Sequence, residues 1–163
     1  MSFENVKKYF VDKGLEDRIK VLNTSSATVE MAAKALGCEA GQIAKTLSFT
    51  VNKSPVLVVA AGNVKMDNKK FKSRFGTRPK MIPGKLVKER IGHDVGGVCP
   101  FVLKSGVKVF LDVSLKQNDV VYPAAGSENS LVKLSVKELE AHTAFEGWVD
   151  VGKQPEISKE SIN

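Results

Sequence analysis

The feature that most restricts what this chain can fold into is a pair of apolar, β-branched runs, Thr46 to Val51 and Val56 to Ala61, separated by Asn52-Lys53-Ser54-Pro55. Turn-forming residues between two such runs predict a β-hairpin, and a lone hairpin is not stable in water without further elements packed on it. The rest of the sequence supplies them. Arg18 to Leu22, Val107 to Val113, Val120 to Ala124, Leu131 to Leu134 and Gly147 to Val151 read as further strands, separated by turns rich in Gly, Asn and Ser. Phe3, Val6, Phe10 and Val11 recur at helical spacing before Gly14, predicting a helix over 3–13. Thr28 can cap a second helix that turns Val29, Ala32, Ala33 and Leu36 inward and stops at Gly37. Asp67 opens a third helix to Phe75, and Pro83 precedes a fourth that runs to about Ile91. Ser135 and Glu138 have the spacing of a capping box, which predicts a helix through His142.

Strands separated by short helices, without a strict βαβ rhythm, predict an α+β (mixed α/β) fold rather than a doubly wound nucleotide-cofactor domain. A length of 163 residues suits one domain, expected over 1–151, with a frayed polar tail over 152–163. No run approaches the roughly 20 apolar residues of a membrane span, and the N-terminus lacks a basic segment followed by an apolar one. The expected location is the cytoplasm.

Lys and Arg exceed Asp and Glu by 25 to 18, a net charge of +7 that favours an anionic partner without identifying one. The excess is concentrated in Lys65, Lys69, Lys70, Lys72, Arg74, Arg78 and Lys80, opposed only by Asp67. This is either a solvated helix face or a patch that contacts phosphates. The two cysteines, Cys38 and Cys99, form no Cys-x-x-Cys pair, so buried thiols are expected rather than a zinc or redox site.

Gly37 to Thr46 superficially resembles a phosphate-binding P-loop, but Ala44 stands where the glycine before the lysine is required. The segment also follows a helix and opens a strand, the reverse of a P-loop, which argues against ATP or GTP hydrolysis. Lys45, flanked by Ile43, Ala44, Thr46 and Leu47, must either reach solvent or meet an anionic or carbonyl group. In Gly96-Gly97-Val98-Cys99-Pro100-Phe101, glycines permit a close backbone approach to a ligand and the proline stiffens the loop; a tight turn would use the same residues. Ala125 to Ser130 offers hydroxyl and amide groups in a polar loop, a composition that ordinary turns share. His93 and His142 are the only histidines, in a loop and near a helix end, and no His-Glu-x-x-His or Gly-x-Ser-x-Gly pattern occurs. An enzyme built this way would rely on positioning and electrostatics.

Taken in order, Thr28 to Ala33, Ile43 to Leu47, Val58 to Gly62 and Gly92 to Phe101 closely resemble the YbaK/EbsC family, relatives of the editing domain inserted in bacterial prolyl-tRNA synthetases. Val109 to Asp112 and Ala125 to Ser127 continue the match over roughly residues 20 to 150. The resemblance implies a curved, barrel-like mixed sheet surrounded by short helices, with a pocket between the lysine strand and the Gly-x-x-x-Pro loop. It implies no metal or organic cofactor. It further implies hydrolysis of the ester joining a wrong amino acid to tRNA, commonly alanine or cysteine on proline tRNA, with serine or threonine in some relatives. The partners implied are the mischarged acceptor end and prolyl-tRNA synthetase.

Carried over by position, Lys45 matches the lysine that helps hold the aminoacylated adenosine, and Gly96 and Pro100 match the ends of the loop. With Gly97, Lys45 and Gly96 are the expected catalytic set. Thr46, Val98, Cys99, Pro100, Gly126, Ser127 and Asn129 are expected to touch substrate, and Lys65, Lys69, Lys70, Lys72 and Arg74 to touch nucleic acid. Asp112 is expected to be structural. Val102 stands where the family often has glycine, and no aspartate near Leu131 matches the one in cysteine-specific members. These departures motivate an alternative, a non-catalytic tRNA-binding or regulatory module with the same fold.

Overall fold

The computed structural model describes residues 2–24 and 28–153. The helices are α1 (Ser2–Asp12), α2 (Val29–Leu36), α3 (Asn68–Phe75), α4 (Gly84–Ile91) and α5 (Val136–Ala141). The strands are β1 (Ile19–Val21), β2 (Ile43–Val51), β3 (Ser54–Ala61), β4 (Lys65–Met66), β5 (Lys108–Asp112), β6 (Val120–Pro123), β7 (Ser130–Val132), β8 (Leu134–Ser135), β9 (Phe145–Val149) and β10 (Gly152–Lys153). Six of them form a curved mixed sheet in the order β8-β6-β2-β3-β5-β9, while β1 pairs with β7 and β4 with β10. This is the α+β architecture that the sequence predicts. Among the described residues no helix is long and apolar enough to cross a membrane.

The predicted hairpin is the centre of this sheet. Asn52 and Lys53 both adopt positive φ, at 49° and 69°, and make the two-residue turn that fits the twist of the strands, so β2 and β3 pair from Val51–Ser54 back to Ala44–Ala61. Alternation then divides β3 between two cores. Leu57 and Val59 face a larger cluster with α1 (Val6, Phe10), α4 (Val87, Ile91) and Phe101. Val56 and Val58 face a second one with Phe71 of α3, Phe110 and Val149. A strand covered on both faces reads as a continuous apolar run, which is what Val56 to Ala61 is.

Caps set the helix limits. The Thr28 hydroxyl accepts from the Met31 amide, Asp67 accepts from the Lys69 and Lys70 amides, and Ser135 with Glu138 forms the predicted capping box. The strand over 107–113 ends earlier than expected, because the Asp112 carboxylate accepts from the Ser114 amide at 3.0 Å and turns the chain into a short 3-10 segment, Val113–Gln117. Its other oxygen accepts from the Val151 amide at 2.8 Å, so this buried acid is spent on backbone. Leu131 to Leu134 is not one strand: the Lys133 amide donates to the Arg18 carbonyl, and the two halves pair with different strands. Gly152 and Lys153, expected to begin the tail, instead pair with Met66 and Lys65. The rest of the expected tail, 154–163, lies outside the described residues.

Candidate functional site

β2 is paired on one side by β3 along most of its length, but on the other side only at its two ends. β6 meets it at Ile43 and Ala44. At the far end Met81 forms a bridge to Phe49, with the Thr50 amide donating to the Lys80 carbonyl and the Ile82 amide to the Ser48 carbonyl. Among the described residues nothing pairs with the edge between, at 45–47. Backbone groups alternate along a strand, so Thr46, two residues from Ser48, directs its N–H and C=O to this gap. A cleft of about 520 Å³ opens there, floored by Ala44 to Ser48 and walled on one side by Met81, Val87 and Val95 and on the other by Val29, Ala124 and Leu131. Gly96 and Val98 also line it. The Thr46 hydroxyl oxygen is buried in this region without a hydrogen-bond partner, which is costly unless a ligand supplies one.

Lys45 also lines the cleft and is half-buried. Its Nζ donates to the Val64 carbonyl and approaches the Gly62 carbonyl at 3.5 Å. Desolvation pushes its pKa below that of a free lysine; Glu30 opposes this and Lys65 adds to it. The ammonium therefore sits where an added anionic or carbonyl group would relieve part of its desolvation.

The 96–101 loop alternates its contacts. Gly96 and Val98 face the cleft, whereas Gly97 and Cys99 turn inward and Pro100 lines a separate cavity beside Tyr9 and His142. A Cβ on Gly97 would lie 2.6 Å from the Gly126 carbonyl carbon, and one on Gly126 would lie 2.8 Å from the Ser2 carbonyl oxygen. Glycine at both positions lets the cleft loop, the 125–130 loop and the start of α1 stack backbone on backbone. The Gly97 amide donates to the Asp94 carbonyl at 3.0 Å, while the amides of Gly96 and Val98 make no backbone hydrogen bond among the described residues. Cys99 is fully buried and its thiol is pushed up to about 12 by desolvation, so it is not a nucleophile at neutral pH.

The structure thus gathers Lys45, Thr46, Gly96 and Val98 of the sequence-predicted set on one cleft. Gly97, Cys99, Gly126, Ser127 and Asn129 stand behind it. Ser127 donates to Asn129 at 3.0 Å and Asn129 to the Leu22 carbonyl at 3.2 Å, which ties their loop to the segment after β1. Lys65, Lys69, Lys70, Lys72 and Arg74 are all exposed on β4 and α3. Of these, Lys70 is engaged by Asp150 at 3.1 Å and the Arg74 guanidinium lies over the Phe75 and Phe110 rings. The walls contributed by Val29, Met81, Val87 and Leu131 were not legible as site residues, because each reads locally as ordinary core.

A sequence profile of aminoacyl-tRNA editing domains matches residues 24–141. The uncharacterised protein YwhH of Bacillus subtilis is 44% identical over 154 residues, which cover 94% of this chain and 98% of that protein. EbsC of Enterococcus faecalis, named as a candidate Cys-tRNA(Pro)/Cys-tRNA(Cys) deacylase, is 30% identical over 110 residues, 66% of this chain and 67% of its own. Among solved structures, a candidate trans-editing enzyme for prolyl-tRNA synthetase superposes with a TM-score of 0.83 at 28% identity, covering 93% of this chain and 97% of that one. The hypothetical protein APE2540 superposes with a TM-score of 0.80 at 29% identity, covering 91% and 99% respectively. With an editing-domain profile spanning most of its length, a relative of this similarity and the cleft described above, this chain belongs to the YbaK/EbsC family of aminoacyl-tRNA editing domains.

Proposed function

We infer that this protein is a trans-editing deacylase that hydrolyses the ester between a wrong amino acid and the terminal adenosine of tRNA. The observation that carries this reading is the convergence of Lys45, the open Thr46 edge and the loop residues Gly96 and Val98 on one apolar-walled cleft. An aminoacyl ester is already activated, so a protein nucleophile is not required. The two loop amides can hydrogen-bond the carbonyl oxygen as negative charge develops on it, and the Thr46 edge can fix the aminoacyl group. Lys45, at the border of the cleft, takes the ribose and phosphate side of the nucleotide, where its desolvated charge is compensated. Walls of Val29, Val98, Ala124 and Leu131 suit a small side chain, which supports alanine or cysteine carried on proline tRNA, with serine or threonine as neighbouring candidates. The tRNA acceptor end is the partner of this reading, and prolyl-tRNA synthetase the enzyme whose errors it would clear.

The test is a deacylation panel of alanyl, cysteinyl, seryl, threonyl and prolyl tRNAs. One mischarged species should be cleaved well above the spontaneous rate, and Lys45→Ala should lower kcat/KM by about 100-fold with the fold retained, the scale for losing a charged contact that positions the substrate. Tight binding of tRNA with no cleavage of any ester would replace this reading with the non-catalytic module.

A further inference from the structure

His93 is a buried titratable group that the proposed chemistry does not use. Its side chain is only 1% exposed. One ring nitrogen, Nε2, lies 2.6 Å from the Phe101 carbonyl oxygen, and the other, Nδ1, meets the Ser2 hydroxyl at the start of α1. A carbonyl oxygen can only accept, so Nε2 carries the hydrogen; in the neutral ring that desolvation favours, Nδ1 keeps its lone pair and accepts from the Ser2 hydroxyl. The ring is thus a neutral imidazole with both nitrogens satisfied, consistent with a pKa pushed below that of free histidine by desolvation, against opposing contributions from the Phe101 carbonyl and Asp94.

The placement of these bonds matters. His93 stands immediately before the 94–100 segment and Phe101 immediately after it, so the bond joins residues separated by 8 positions and closes the segment end to end. Gly96 and Val98, the two cleft-facing residues, lie inside the closed segment. Within it the Gly97 amide to Asp94 carbonyl bond makes one tight turn, and Gly97 is seated on Gly126. The Ser2 bond adds an anchor from α1, whose first turn packs on the other side of Gly126.

We propose that His93 is a positioning residue: its ring clamps the two ends of the 94–100 loop to each other and to Ser2, and so holds the Gly96 and Val98 amides at the cleft. This rests on the deacylase reading for its consequence in catalysis, but the clamp itself is a property of the free protein. His93 touches no substrate and acts through the loop.

Three variants of the full chain test it. His93→Leu keeps an apolar filling and removes both hydrogen bonds; His93→Gln restores an amide N–H toward Phe101; Ser2→Ala removes only the Nδ1 partner. In amide hydrogen exchange, peptides covering 94–100 should exchange about 10-fold faster or more in His93→Leu, with β2 and β3 unchanged, as expected for local rather than global opening. His93→Gln should recover most of the protection, and Ser2→Ala should fall between. In deacylation, His93→Leu should lower kcat by about 10- to 100-fold with KM changed little, the scale of a misplaced reacting group, and His93→Gln should recover most of it. Wild-type exchange at 94–100 in His93→Leu overturns the proposal. So does equal loosening of every element in both His93 variants, which would make the ring generic core. If His93→Leu does not fold, unchanged loop exchange in both His93→Gln and Ser2→Ala overturns it, and faster exchange confined to 94–100 in Ser2→Ala supports it. A wild-type protein that cleaves no ester on the panel defeats the deacylase reading and leaves the exchange result standing.

Discussion

Val102 adopts a φ of 51° and is 45% exposed. A β-branched residue in the left-handed region crowds its own backbone, at a cost of about 1–2 kcal/mol, whereas glycine has no such cost there. The family resemblance expects glycine at this position, and the backbone supplies the reason. Val102→Gly should stabilise the fold by about 0.5–1 kcal/mol, the strain relieved less the roughly 0.5–1 kcal/mol of extra chain entropy. A thermal melt should rise by about 2–4 °C for a chain of this size. A lower melting temperature would mean that the Val102 side chain contributes more at the neighbouring cavity than the strain costs. At this scale the sequence was partly legible: the departure at Val102 was visible, but its conformation was not, and Lys45 could be singled out without the Val64 carbonyl that receives it.

Between elements, the cleft exists because β2 is longer than the partners on its outer side. The hairpin, the capped starts of the helices and the ends of α2 and α3 at Gly37 and Gly76 follow from local rules, and they stand in the structure where those rules put them. The return of Lys80 to Ile82 onto the far end of β2 does not, because no periodicity distinguishes three residues before Pro83 from loop. The 131–134 run misled for a related reason: its apolar residues fit one strand, and only the tertiary bond from Lys133 to Arg18 divides it. The stacking of loop on loop at Gly97 is likewise a long-range fact. Gly97→Ala would place a methyl 2.6–2.7 Å from the backbone of Gly126 and Ser127, neither of which can rotate aside. The loop must then move, with a loss of about 1–3 kcal/mol in stability and a fall in deacylation kcat, because the amides at Gly96 and Val98 move with it. Gly147→Ala, where an added Cβ meets nothing within 4 Å, is the control and should leave both unchanged. A Gly97→Ala enzyme with full kcat would show that the cleft tolerates displacement of this loop.

Across the whole molecule, the charge of +7 is distributed so that its densest stretch adjoins the cleft in two places. The chain leaves the Lys45 region at Val64, whose carbonyl Lys45 holds, runs through exposed Lys65 and α3, and returns as exposed Lys80 next to Met81 on the cleft wall. Lys69, Lys72 and Arg78 converge with Asn68 on a shallow depression along this route. Lys70 and Arg74 are held by Asp150 and by the Phe75 and Phe110 rings, so they contribute to the field with less freedom to reach a phosphate. A tRNA whose 3′ end enters the cleft would lay its acceptor strand toward this face, and each phosphate neutralised releases counterions. Binding should therefore weaken steeply with salt. If Lys69 and Lys72 each meet a phosphate, Lys69→Ala with Lys72→Ala should make the slope of log K against log salt shallower by about 1.4–1.8, the amount for two phosphate contacts. Lys8→Ala is the comparison, since Lys8 lines no part of the cleft and already pairs with Asp12 at 3.0 Å, and it should leave the slope unchanged. Once tRNA is saturating, the α3 double variant should also keep its kcat, because α3 lines no part of the cleft. An unchanged salt slope in the α3 variant, measured by titration of a deacylated tRNA across several salt concentrations, would assign the acceptor stem to another face of the protein.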